Sequence, residues 1–395
     1  RRHTRYGTVT GVQTCALPIL NQLGVVSVTS GPGGINALNG VFGAWTDSVP
    51  MLIVSGQMKR DTLMRHRGEL GRLRQLGDQE VDIESMVKGI TKYSQTILDA
   101  KSIRYHLEKA VYLALNGRPG PCWLDIPLDV QAELIAPDQL KGFDPEYEFP
   151  NPSDETKSIL AAEVAKRLME ADRPVLLGGT GVRLSGAIDE FISLGHRLSI
   201  PITTAWTHVL IHSGQPLFCG RQGTIGTRAG NFTVQNADTV MIVGSRMCIR
   251  QISYNWKSFA REAFKIQVDI DENELRKPTL SADLPICADA KKFLQLVLDR
   301  IPADFVIPNR RIEWLGWCKA RSEANPNVLP KQRVAEPGTI NAYHFVELLF
   351  QESQDGDIFA CGDATACITP FQAGDRKSTR LNSSHSSVSR MPSSA

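Results

Sequence analysis

"VTSGPGGINALNGVFGAWTDSVPMLIVSGQ", Val28 to Gln57, decides how this chain is read. The β-branched run that precedes it, "GVVSVT", breaks at Ser30-Gly31-Pro32-Gly33-Gly34, and Ile35, Leu38, Phe42 and Trp45 then recur at helical spacing. "VPMLIVSG" follows as a second buried-strand candidate. A strand that ends in a glycine turn and feeds a helix N-terminus presents backbone N–H groups, and the glycines let a ligand approach the main chain. The turn is neither G-x-G-x-x-G nor the Walker pattern ending in Lys-Ser/Thr, so phosphate binding of those kinds is not indicated.

The same alternation continues on both sides. A helix near Asp82–Ile90, the strand "YSQTIL", a helix over Ser102–Asn116 and the strand "PCWLDIP" complete a β/α series ending near Val130. Strands alternating with helices imply an α/β fold with parallel sheets covered on both faces. Ala136–Asp154, rich in Pro and acidic residues, has the make-up of a linker. A second series follows: a helix over Ile159–Met169, "RPVLLGG" as a strand into a glycine turn, a helix over Ile188–Leu198, the strands "IPITTAW", "TVMIVGS" and "FKIQVDID", and a helix over Ala290–Leu298. After a Pro-containing stretch from Ile301 to Gly338, a third series opens with a helix over Ala342–Phe350 and the strand "DIFACGD". The expected organisation is a first domain over 20–136, a central domain over 154–300, and the start of a third over 338–374. Residues 1–19 and 375–395 change character abruptly, the latter being Ser-, Arg- and Lys-rich, and resemble adapter-derived rather than native sequence.

Composition narrows the function classes. With 395 residues, 42% of them hydrophobic, the chain can bury more than one core. A net charge of +2 and no basic stripe interleaved with aromatics give no reason to expect nucleic acid or an anionic membrane as partner. No apolar run reaches the roughly 18 residues that span a bilayer. Eight scattered cysteines without a C-x-x-C pair suit a reducing, cytoplasmic setting, with buried thiols such as Cys361 and Cys367. His66, His106, His196, His208, His212 and His344 lack metal-ligand spacing and are read as structural. No G-x-S-x-G elbow points to a hydrolase. A small-molecule ligand is expected.

The second series carries its own candidate site. "LLGGTGV" puts Gly178, Gly179 and Gly181 at a strand end, "VGSRMCIR" puts Gly244, Arg246 and Arg250 after another, and "VDIDENEL" ends a third with Asp269 and Asp271. A strand-end acid for ribose hydroxyls and arginines for diphosphate fit a dinucleotide laid across the carboxyl ends of parallel strands.

The string from Val28 to Gln57, with "GDQEVDIESMVKGITKY" and "GRPGPCWLDIPLDV", resembles the N-terminal, pyrimidine-binding domain of thiamine diphosphate enzymes of the acetolactate synthase type, and "GDATACITPFQA" resembles the beginning of their diphosphate-binding domain. The resemblance implies successive parallel-sheet domains around a central Rossmann-like one. It puts Thr29, Pro32 and Asn36 beside the aminopyrimidine of the cofactor and Gln79 at the reaction centre, in a water-poor pocket where that ring can deprotonate the thiazolium. It further implies FAD in the central domain, against the residues already named together with Thr204, "GRQG" at Gly220–Gly223 and Asp289. Two departures stand out: "RMCIR" replaces Arg-Phe-Asp-Asp-Arg, and "GRQG" replaces Gly-Met-His-Gly. The family's activating glutamate and its Mg²⁺-ligating Gly-Asp-Gly…Asn motif are not found, so the chain as written is expected to be an incomplete and inactive fragment. The implied activity is decarboxylation of a 2-oxo acid and ligation to a second, in a homodimer or homotetramer with a possible regulatory subunit. Glyoxylate carboligase, pyruvate oxidase, oxalyl-CoA decarboxylase, sulfoacetaldehyde acetyltransferase, a non-catalytic nucleotide-binding protein and an NAD-dependent dehydrogenase remain alternatives.

Overall fold

The computed structural model describes residues 22–64, 73–149, 155–206, 210–211, 213–334, 338–354, 357–361, 365–373 and 380–383. They form two compact units, divided between residues 152 and 153. The adapter-like head, most of the adapter-like tail, His66, His208 and His212 lie outside the described residues.

The first unit is a four-stranded sheet in the order β1-β2-β4-β3, with β1 Gly24–Val28, β2 Met51–Gln57, β3 Tyr93–Thr96 and β4 Pro121–Pro127. Every pairing is parallel, as the alternation of strands and helices requires. One face buries Ile53, Met51 and Trp123 against Ala37, Val41 and Ala44 of the helix Pro32–Asp47. The other buries Leu52, Cys122 and Leu124 against Ala110 and Ala114 of the helix Ile103–Leu115. Because both faces are covered, β2 and β4 are nearly continuous apolar runs.

The stretch expected to be a linker docks on this unit. Glu148 accepts hydrogen bonds from Tyr105 Oη at 2.5 Å and Lys109 Nζ at 2.6 Å, and Phe143 packs against Tyr105 and Tyr112 with centroids 5.9 and 5.4 Å apart. Its aromatic residues, spaced among prolines, give no period but have a shared target on one helix.

The second unit holds a six-stranded parallel sheet in the order β10-β9-β8-β5-β6-β7, with β5 Pro174–Gly178, β6 Ile202–Thr204, β7 Phe218–Arg221, β8 Thr239–Val243, β9 Phe264–Asp269 and β10 Leu284–Cys287. From β5 the chain first builds β6 and β7 on one side, then returns to build β8, β9 and β10 on the other. The carboxyl ends of β5 and β8 are therefore a topological switch point, where open α/β sheets leave a crevice. The stretch between Ile301 and Gly338, given no structure from sequence, contains the 16-residue helix Asn309–Ala324. Pro308 stands at its N-cap, and the fully buried Arg311 donates to the carbonyls of Leu198 and Leu168, both at 2.8 Å, and of Ala171 at 2.5 Å. It thereby satisfies carbonyls around two helix ends that would otherwise lack partners. The third series supplies the helix Ala342–Glu352, the strand β11 Ile358–Cys361 and the helix Thr365–Ala373. Within the tail read as foreign, Arg380–Ser383 is β12 and pairs with β11.

Candidate functional site

The first glycine turn is an open helix end held by a strained neighbour. Gly31 has φ 56° and serves as N-cap to the helix Pro32–Asp47, with Pro32 in the first turn and no side chain capping it. Proline suits that position because its φ is already helical and it has no N–H to satisfy. A Cβ on Gly31 would lie 2.3 Å from the carbonyl oxygen of Gln79, so the turn and the Gln79 backbone are in direct contact. Gln79 itself has φ 60°, a left-handed conformation that costs a non-glycine residue on the order of 1 kcal/mol. The resemblance alone had joined Gln79 to the turn; here they touch. Thr29 lies at the end of β1, its methyl 2.7 Å from where a Cβ on Gly33 would be, and Asn36 is one helical turn beyond Pro32. Thr29, Asn36 and Gln79 are all exposed. Among the described residues none of these three side chains makes a hydrogen bond, which leaves their polar groups available to a ligand.

Glu80, next to Gln79 and not singled out by the sequence, ties together the backbone of Met64, Leu76 and Gly77. Its carboxylate accepts from the amides of Met64 at 2.7 Å, Leu76 at 3.2 Å and Gly77 at 3.1 Å. Three convergent N–H donors satisfy a carboxylate as a helix N-terminus would. Also missed was a buried polar group set under the turn. Ser55 lies opposite Asp125 in the β2–β4 register and donates to it, Gln57 Nε2 donates to Asp125 at 2.9 Å, and Trp123 Nε1 donates to Ser55 at 2.8 Å. Asp125 is 2% exposed, and burial pushes its carboxyl up to about 6 against the opposing pull of the Ser55 and Gln57 hydrogen bonds. Only the unusual placing of an acid inside the apolar run "PCWLDIP" could have signalled it.

In the second unit the named glycines lie at the switch point but face one another. Gly179 N–H donates to the Val243 carbonyl and Gly181 N–H to that of Gly244, both at 2.9 Å. A Cβ on Gly179 would come within 2.2 Å of the Gly244 oxygen, and one on Gly178 within 2.9 Å of the Phe191 ring. They allow two strand ends to interlock. Asp271 and Asp289 cap short helices through Asn273 N–H and Lys292 N–H, each at 3.0 Å, and Asp269 accepts from Asp271 N–H at 3.0 Å. Thr204 at the end of β6 is buried, and among the described residues its hydroxyl has no hydrogen-bond partner and the exposed Arg246 and Arg250 are in no ion pair. An orphaned hydroxyl and two uncommitted guanidiniums suit a diphosphate-containing ligand; the capping aspartates have structural work of their own. Among the described residues no group of three or more His, Cys, Asp and Glu side chains forms a cage for a metal ion. No described helix is long and apolar enough to cross a membrane.

Comparison with known proteins bears on both units. Residues 16–86 match the thiamine pyrophosphate enzyme N-terminal TPP binding domain, and residues 161–297 match the thiamine pyrophosphate enzyme central domain. This chain belongs to the thiamine pyrophosphate (thiamine diphosphate) enzymes. It carries their N-terminal and central domains in the order the two sheets occur, and the first domain is a thiamine diphosphate-binding one. It is 33% identical over 282 residues to the probable acetolactate synthase large subunit of Methanocaldococcus jannaschii, covering 70% of this chain and 45% of that protein. It is 32% identical over 289 residues to the acetolactate synthase large subunit of Lactococcus lactis, covering 72% and 48%, and 34% identical over 282 residues to the probable chloroplastic acetolactate synthase 2 of Oryza sativa, covering 69% and 39%. The chain spans about half the length of these curated relatives or less.

Proposed function

We propose that this chain forms the pyrimidine-side and central portions of an acetolactate synthase-like enzyme, which decarboxylates a 2-oxo acid such as pyruvate and ligates the two-carbon product to a second 2-oxo acid. The observation that carries this reading is the uncapped turn at Gly31–Gly34. Thr29, Pro32, Asn36 and Gln79 lie in it or against it, and the side chains of Thr29, Asn36 and Gln79 have no hydrogen-bond partner among the described residues. When bound, thiamine diphosphate supplies the carbanion chemistry, so no protein nucleophile is required. The residues of this chain bind and orient: Thr29 and Asn36 are assigned to the aminopyrimidine edge, Pro32 to its apolar face, and Gln79 to the substrate side.

In the central unit, Arg246 and Arg250 are assigned to a dinucleotide diphosphate, FAD in the first instance, and Thr204 to a hydrogen bond with the same ligand. A magnesium ion would neutralise diphosphate charge, and none of the described residues is assigned to it. A homo-oligomer, a regulatory subunit and a cytoplasmic setting complete the reading.

The test is product formation. Protein expressed from the whole gene is incubated with pyruvate, thiamine diphosphate, Mg²⁺ and FAD. Acetolactate in the wild type and its loss in Gln79→Ala support the reading; carbon dioxide and acetaldehyde, or oxalyl-CoA turnover, would assign a different thiamine diphosphate reaction. Retention of yellow flavin on purification, reduced in Arg246→Ala/Arg250→Ala, tests the central site separately.

A further inference from the structure

The buried group set Trp123–Ser55–Asp125–Gln57 begins and ends at the same place, the first turn of the helix Pro32–Asp47. At one end the Trp123 ring stands 3.6 Å from where a Cβ on Gly34 would lie. Trp123 Nε1 donates to Ser55 Oγ, which donates to Asp125, which accepts from Gln57 Nε2. The same Gln57 amide donates to the Val81 carbonyl at 2.9 Å, while its own oxygen accepts from Met58 N–H at 3.0 Å. Val81 is two residues from Gln79, whose carbonyl abuts Gly31. Contacts thus run from Gly34 through the sheet and back to Gly31 without a gap.

We infer that Gln57 and Asp125 are positioning residues that hold the Gln79 loop against the glycine turn. Geometry and energetics both support this. Ser55 and Gln57 are two residues apart on β2, so both side chains leave the same face of the sheet, the face on which Asp125 and Trp123 project from β4. Asp125 is almost wholly buried and its hydrogen-bonding partners are neutral; an apolar residue in its place would leave the Ser55 hydroxyl and one Gln57 N–H without their acceptor. Nor could an apolar residue orient Gln57. With one carboxylate oxygen taken by Ser55 and the other by Gln57, the Gln57 amide has a single orientation. That orientation aims its second N–H at Val81. The strained φ of Gln79 requires such an external hold, since a loop free to relax would leave the left-handed region.

The catalytic placing of Gln79 rests on the function proposed above, whereas the attachment of the loop does not, and the experiment reads the attachment alone. Amide hydrogen exchange is followed in the 395-residue chain without cofactor, comparing wild type, Gln57→Met and Asp125→Asn. The amides of Leu76 and Gly77, bonded to Glu80, report the loop; those of residues 108–115 in the helix on the opposite face report the fold. Gln57→Met keeps length and burial and leaves the Asp125–Ser55–Trp123 bonds in place. The expected result is exchange roughly tenfold faster at Leu76 and Gly77, the equivalent of one buried hydrogen bond, with residues 108–115 unchanged. Asp125→Asn is expected to give a smaller effect of the same pattern, because one of its two acceptors remains. Unchanged loop exchange in Gln57→Met would overturn the inference. So would equal acceleration in the loop and the helix, which would make the group set a fold element. Failure of the protein expressed from the whole gene to form acetolactate would count against the proposed function and leave this result as it stands.

Discussion

Two glycine turns in this chain follow parallel strands, and they do opposite things. At Gly31–Gly34 the missing side chain makes room for another segment's backbone, and that segment brings a polar side chain to an uncapped helix end. At Gly178–Gly181 the missing side chains make room for Gly244 and Ser245, so two strand ends close on each other. In sequence the two are equally bare. What separates them is their neighbours: a strained Gln79 and, among the described residues, Thr29 and Asn36 without hydrogen-bond partners in the first case, paired backbone N–H and carbonyl groups in the second. Glycine at a strand end thus says that something comes close, and only the third dimension says whether it is ligand or protein.

The largest effect that could break this contrast is in the second turn. Gly179→Val would force branched carbons into the Gly244 carbonyl, and the second unit is expected to lose about 3–5 kcal/mol of stability in urea unfolding, with the first unit's transition unmoved. If Gly179→Val were instead stable and merely weakened nucleotide binding, the two turns would be alike.

Next comes the pH dependence of the first unit. Asp125 carries a folded-state value of about 6, above the ordinary carboxylate value, because burial disfavours its charge. The neutral form is the one the fold prefers, so its contribution is full below the ordinary carboxylate range and is lost as pH rises through about 6. A shift of this size corresponds to on the order of 3 kcal/mol. Stability of the first unit should therefore decline between about pH 4 and 7 by this contribution, and Asp125→Asn should flatten that decline. A profile in the variant as steep as in the wild type would remove Asp125 as its source.

The smallest effects compare strained residues. Ser199 ends the helix Ile188–Leu198 with φ 51°, a common conformation at a helix C-terminus, and Gln79 has φ 60° beside the glycine turn. Glycine at either position relieves left-handed strain, and each is expected to change stability by no more than about 1 kcal/mol, in the stabilising direction where strain relief outweighs added unfolded-chain freedom. Only Gln79→Gly should also lower acetolactate formation by the whole protein. A matching loss in Ser199→Gly would show that the assay reports stability rather than the site.

Much of the fold was legible because parallel sheets covered on both faces write themselves as apolar runs: "MLIVSGQ", "PCWLDIP" and "TVMIV" are strands where expected. The short strands β7 and β10 were not, since "FCGR" and "LPIC" are four residues each and interrupted by Gly or Pro. The helix Asn309–Ala324 was hidden by the prolines flanking it and by Arg311 at a core position, which burial with carbonyl partners makes tolerable. In the candidate site, Thr29, Pro32 and Asn36 fall within eight residues of sequence, and the family resemblance assigned them together. Asp125 could not be read in this way, because its partner Ser55 is 70 residues away and only the strand register joins them.

The most direct test of the central claim is where thiamine diphosphate protects the chain. In the protein expressed from the whole gene, with the cofactor and Mg²⁺ at millimolar concentration, amide exchange should slow at residues 31–36 and 76–80 together, and Gly31→Ala, whose Cβ would strike the Gln79 carbonyl, should abolish the protection at both. Protection confined to the second unit, or protection of the first turn that survives Gly31→Ala, would contradict the account.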